Sequence, residues 1–222
     1  GINDTRNTST NYLLQSRNLF WPFYWPTDYK TGQTWTTRYN SYAQNINYYN
    51  NEWENGSATR RITASPSLLL KILPELNVKT VFSFDETNTK DDLYYSPNHY
   101  TGASDKGIAH AMVTNYQKLV SSTTANYNKS FGLHNLGLLV GWEAEKNNTD
   151  FVRATGRDLP NSALHTVSTA GKLESQAYSW GNSLLSALSR AEYNFDEKYF
   201  ASASLRRDGA SKLGPDVRWG NF

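Results

Sequence analysis

The chain has 222 residues, a net charge of +2, no cysteine, 38% hydrophobic residues and a mean hydropathy of −0.68. So small a charge does not support nucleic-acid binding, and the missing cysteines exclude disulfides and thiolate metal sites. Aromatic residues at 14% argue against disorder, and no apolar run approaches the ~18 residues of a membrane-spanning helix.

A polar average combined with abundant rings is the composition of a barrel with a wet lumen, wet loops and aromatic girdles. Residues 1–58 read as a long, ring-rich surface loop. The stretch Leu19 to Pro26 concentrates aromatic side chains around two prolines, and proline cannot donate to a ladder. Gly1 opens directly into polar sequence, from which either a mature start or a cut is expected.

From residue 60 the period becomes two. Ile62, Ala64, Leu68, Leu70 and Ile72 alternate with Arg61, Thr63, Ser65, Ser67 and Lys71. Leu76, Val78, Thr80, Phe82 and Phe84 alternate with Asn77, Lys79, Ser83 and Asp85, with Val81 the exception, and Leu73-Pro74-Glu75 joins the two runs as a tight hairpin. A second pair places Leu119 to Tyr127 before a turn at 128–133. It then places Leu136, Leu138, Val140, Trp142 and Ala144 opposite Asn135, Gly137, Gly141, Glu143 and Glu145. A third turns at Phe195 to Lys198 between Ala187–Tyr193 and Tyr199–Leu205.

Connections therefore alternate short and long, with long polar segments near 87–113 and 147–179. An antiparallel meander with short turns on one rim and long loops on the other is the plan of an outer-membrane barrel. The expected fold is all-β: an antiparallel transmembrane β-barrel segment of about six to seven strands, spanning residues 59–222. The competing reading is a secreted or surface carbohydrate-binding β-sandwich or adhesin, whose strands also alternate.

The segment Tyr199 to Pro215, containing Leu205-Arg206-Arg207-Asp208-Gly209-Ala210-Ser211, leads into Arg218-Trp219-Gly220-Asn221-Phe222. It closely resembles a signature of the SusC/RagA family of TonB-dependent outer-membrane transporters. Tyr94-Tyr95-Ser96-Pro97, Asn126 to Lys129 before Gly141-Trp142-Glu143, and Arg190 to Tyr199 also look similar to that family. The resemblance covers about residues 60–222 and makes residues 1–58 an aromatic-rich extracellular loop region.

The resemblance implies a barrel of about 22 strands with an N-terminal plug. It implies TonB energisation through the N-terminal part, a SusD-like surface lipoprotein as partner, and oligosaccharide or peptide cargo. It also places the chain in the outer membrane of a Gram-negative bacterium, as a multi-pass barrel with cell-surface loops. No plug segment matches here, so the chain is expected to be a piece, cut in an outer loop at Gly1 and within a strand at Phe222.

Strand alternation turns Leu205 to lipid and Arg206 to the lumen, and puts Arg207 at the strand end, where a long side chain can snorkel. Arg206, Asp208, Glu143 and Glu145 are expected as lumen and structural residues. Glu143 and Glu145 lie two apart, about 7 Å, a glycosidase-like separation that a polar wall also explains. No catalytic, cofactor-binding or metal residues are expected. His99, His110, His134 and His165 lack ligand spacing, and Asp85, Glu86, Asp91 and Asp92 gather acids at a loop base without the calcium-loop pattern.

Rings amid amides and hydroxyls suit sugar recognition through stacking and hydrogen bonds. The candidate ligand or partner contacts are Trp21, Tyr24, Trp25, Tyr29, Trp35, Trp53, Tyr94, Tyr95 and Tyr100.

Overall fold

The fold comes from a computed structural model that describes residues 2–7, 27, 29–32, 52–99 and 101–222. Those residues form one open antiparallel sheet of nine strands. In chain order these are β1 (Ile2–Asn7), β2 (Trp53–Ala64), β3 (Ser67–Leu73), β4 (Leu76–Tyr95), β5 (Ile108–Phe131), β6 (His134–Arg157), β7 (Lys172–Phe195), β8 (Tyr199–Ala210) and β9 (Trp219–Asn221). Each strand pairs with its sequence neighbour, except that β2 and β3 both pair with β4. The six long strands β2 and β4–β8 carry the expected meander.

β2 and β3 form one edge interrupted at a proline. Ala64 opposes Phe84 and Ser67 opposes Val81, so the register continues unchanged across Ser65-Pro66. Pro66 has no N–H to give, but its carbonyl accepts from the Phe82 N–H at 3.0 Å. The three short turns fall where expected. Pro74-Glu75 joins β3 to β4, Gly132-Leu133 joins β5 to β6 with Gly132 at φ 61°, and Asp196-Glu197-Lys198 joins β7 to β8. In the last, positive φ at both Asp196 and Glu197 matches the right-handed twist of the hairpin.

The long connections are shorter than expected. β4 and β5 pair continuously to Tyr95↔Ile108, and β6 and β7 pair to Arg157↔Lys172. Only 96–107 and 158–171 link them, so most of 87–113 and 147–179 is strand. The two-residue period fades there because both faces are wet, while backbone pairing continues. Within 1–58, Ile2–Asn7 pairs with β2 and Trp53 begins β2, so those parts are strand rather than loop.

Direct cross-strand partners share a face, so the register sorts every side chain. One face carries Leu68, Leu70, Val78, Phe82, Leu119, Leu138, Val140, Trp142, Leu185 and Leu205, most of them about half exposed. At about 3.3 Å per residue and a tilt of about 40°, the stretch from His134 to Ala144 spans about 25 Å, the height of a lipid-facing band. Phe131, His134, Tyr193, Phe195 and Tyr199 pack in a chain on this face at the short-turn rim, with centroids 4.9 to 6.4 Å apart. That is the position of an aromatic girdle.

The few buried apolar residues lie at the opposite end. Tyr94, Ala109 and Leu159 cluster there under Val167 and Ala170. The two connections brace each other through backbone bonds from Asp158 N to Asp105 O (2.8 Å) and Leu159 N to Lys106 O (3.0 Å).

Candidate functional site

The face opposite the apolar band is polar, and its charges pair with near neighbours. Arg61 donates from Nε to Asp85 at 2.9 Å. Lys118 meets Glu145 at 2.8 Å, Asn147 donates to Glu145 at 2.6 Å, and the Tyr116 hydroxyl donates to Asn147 at 3.1 Å. Arg206 donates from Nε to both oxygens of Asp208 (2.8 and 2.9 Å) and from Nη2 to the buried Ser186 at 3.1 Å. Glu143, Glu145, Arg206 and Asp208 thus all stand on one wall. Glu145 is engaged by a cation and an amide, a polar wall arrangement rather than a poised carboxylate pair.

The acid residues of β4 do not converge. Asp85 and Asp91 point to the polar face and Glu86 and Asp92 to the other, because strand side chains alternate. Glu86 accepts from Gln117 at 3.2 Å.

The Arg-Arg-Asp-Gly segment works through both faces. Its even residues, Arg206 and Asp208, hold the polar wall. Its odd residues, Arg207 and Gly209, hold Trp219 on the apolar face. The guanidinium of Arg207 sits 5.2 Å from the indole centroid. A Cβ on Gly209 would come within 2.6 Å of the same ring, so only glycine lets the indole lie on β8. Arg207 is therefore not at a strand end: β8 continues to Ala210, and the side chain is held by an indole.

Above the band, the expected contact residues divide. Trp21, Tyr24, Trp25, Trp35 and Tyr100 lie outside the described residues. Tyr29 is 81% exposed, with Lys30 Nζ 5.6 Å from its ring centroid. Trp53 and Tyr95 stack across β2 and β4 at 6.3 Å on the polar face, and Tyr95 meets His99 at 4.7 Å. Tyr94 is no open contact. It is 4% exposed, stacks on His165 at 4.0 Å and donates to Ser162 O at 3.1 Å. The reason is alternation: Tyr94 faces opposite to Tyr95, and residues 158–171 lie over it.

The sequence reading missed a further group of rings on the polar face. Phe151 of β6 and Tyr178 of β7 are direct partners with centroids at 4.8 Å, and Tyr178 stacks with Trp180 at 5.2 Å. Tyr178 and Trp180 remain 47% and 51% exposed. Above them Arg153 donates to Gln176 at 2.8 Å, and Arg157 bridges Asp105 and, at 3.5 Å, Glu174. His110 shares a 2.9 Å hydrogen bond with the buried Thr155. Burial holds His110 below the usual imidazole pKa, helped by Arg153 and Arg157. The signal for the ring group was the run Gln176, Tyr178, Trp180, Asn182, alternate residues of one strand face, which the expected loop concealed.

No family model matches the chain. Over 150 residues it is 30% identical to TonB-dependent receptor P3 of Formosa agariphila, covering 66% of the chain and 15% of that receptor. It is 31% identical over 113 residues to TonB-dependent receptor SusC of Bacteroides thetaiotaomicron, covering 50% of the chain and 11% of that receptor. Its fold superposes on 88% of its length with a chain of the RagAB peptide transporter at a TM-score of 0.76 and 20% identity, covering 23% of that chain. It therefore spans only a small fraction of the relatives it matches. The sequence matches, the antiparallel wall with its apolar outer band, and the shared fold make this chain a stretch of the β-barrel of a SusC/RagA-like TonB-dependent receptor.

Proposed function

We propose that the chain forms part of the wall and cell-surface loops of an outer-membrane importer energised through TonB. Its cargo is an oligosaccharide or peptide, taken up with a SusD-like lipoprotein at the surface. The observation that carries this reading is the division of single strands into two solvents. Leu138, Val140 and Trp142 of β6 stand 38–59% exposed on one face, while Glu143 and Glu145 line the other among ion pairs and amides. A β-sandwich would bury those three residues in its core.

Beyond the band, the exposed rings of Tyr178 and Trp180, with Arg153 and Gln176 above them, suit an extended polar cargo. The rings offer stacking surface and the polar groups hydrogen bonds. No catalytic step is assigned, and the role is passage and recognition.

The test is uptake by cells carrying the full receptor, with and without TonB. Periplasmic accumulation from a mixed pool of oligosaccharides, and separately of peptides, is read by mass spectrometry. Accumulation should need both the receptor and TonB. Replacing Tyr178 and Trp180 together with alanine should weaken cargo retention by the purified receptor about tenfold, from ~0.5–1.5 kcal/mol per ring. Uptake indifferent to either the receptor or TonB refutes the reading.

A further inference from the structure

One row of direct partners crosses the apolar face: Phe82, Ser121, Ala144, Leu185, Gly209 and Trp219, one from each of β4 to β9. Three of the six are small. The row is therefore lowest at Ser121 and Ala144, between the side chains of Phe82 and Leu185, while Gly209 lies beneath the Trp219 indole. All six residues line a groove of about 440 Å³.

Two cations, Lys146 and Arg218, line the same groove. Both are exposed, and neither forms an ion pair among the described residues. Each stands on the loop side of the row. Lys146 follows Ala144 along β6 toward the long connection. Arg218 precedes Trp219 on β9, which runs back toward the short-turn rim. A third cation, Arg207, closes the Trp219 end. The carboxylate closest in sequence, Glu145, points to the other face and is occupied by Lys118.

An apolar trench at the loop-side edge of a lipid-facing band, headed by unpaired cations, has the chemistry of a lipid with an anionic head. We propose that this groove binds a phosphate-bearing lipid, its acyl chain along Ser121 and Ala144 and its phosphate at Lys146 and Arg218. The proposal rests on the membrane-spanning reading above. Two observations favour this occupant over a protein partner: the groove is continuous with the lipid-facing band, and Lys146 and Arg218 both line it on the loop side, where each cation favours an anionic lipid.

Native mass spectrometry of the full-length receptor in mild detergent tests it, with phosphatidic acid as probe and diacylglycerol and phosphatidylcholine of the same chains as comparators. Phosphatidic acid should be retained over both. Lys146→Gln with Arg218→Gln should cut its retention about tenfold. Ala144→Phe fills the trench and leaves both cations, and should also cut retention. Heat-modifiable gel migration confirms that each variant is folded. Equal retention of the three lipids, unchanged retention in either variant, or full displacement by millimolar inorganic phosphate overturns the proposal. Lipid selectivity retained by a receptor whose presence, or whose coupling to TonB, makes no difference to uptake would count against the importer reading alone.

Discussion

Gly209→Ala should destabilise the barrel, and the effect should vanish without Trp219. The added Cβ would lie 2.6, 2.7 and 2.8 Å from three indole carbons, where carbon atoms prefer about 3.5–4.0 Å. The ring must move by about 1 Å, an overpacking cost of ~1–3 kcal/mol. The movement also loosens the Arg207 contact at 5.2 Å, worth ~0.5–1 kcal/mol at an exposed site. Removing the freedom of glycine in a strand returns ~0.5–1 kcal/mol. The net expectation is a loss of about 2 kcal/mol, summed from those ranges. The assay is urea unfolding of the full-length receptor folded into lipid vesicles, for wild type, G209A, W219L and the double variant. In the W219L background G209A should cost nothing or stabilise slightly, a coupling of about 2 kcal/mol. An equal cost in both backgrounds would show that Gly209 is needed for something other than the indole.

Two further expectations follow from the sheet. Val140→Arg, on the outward face, should cost about 2–4 kcal/mol in the same unfolding assay, whereas Ser202→Arg, on the polar face opposite Glu192, should cost under ~0.5 kcal/mol; equal costs would invert the assignment of faces. At the upper wall, the His110 pKa lies below its ordinary value, so the unfolded chain binds the proton more readily. The stability this supplies is present above the unfolded pKa near 6.5 and is lost as pH falls through the lower folded value. Amide protection at 108–111 and 154–157, taken relative to the intrinsic exchange rate at each pH, should fall between pH 7 and 5, and His110→Asn should flatten that trend; an unchanged trend in the variant would assign it to another group.

Much of the wall was legible because lipid imposes a strict rule. Where one face must be apolar, as in Leu136 to Ala144, alternation appears directly in the residues, and Pro74-Glu75 or Gly132 marks each turn. Above the band the rule relaxes. Asn147, Asn148, Thr149 and Asp150 are polar on both faces, yet β6 pairs through them with β7. Side chains carry no strand signal there; only the partner backbone does. That is why the rings at 151, 178 and 180 were passed over as loop. Tyr94 illustrates the other limit. Its position on β4 is readable from alternation, but its burial depends on residues 158–171 folding across it, a contact between segments 68 residues apart at Ser162.

The motif that identified the chain is thus not where cargo selection should be sought. Arg206 and Asp208 fasten β8 to Ser186 of β7 in water, and Arg207 and Gly209 fasten it to Trp219 of β9 on the lipid side. One tetrapeptide therefore joins three strands, and changing any member loosens the wall on one face or the other. Such a joint is specified by the barrel and is indifferent to what passes through it. On the importer reading proposed above, recognition falls to side chains that the sheet leaves unoccupied. On the polar face above the band these include Tyr178 and Trp180, whose rings stay about half exposed while the Arg206–Asp208–Ser186 contacts are already satisfied.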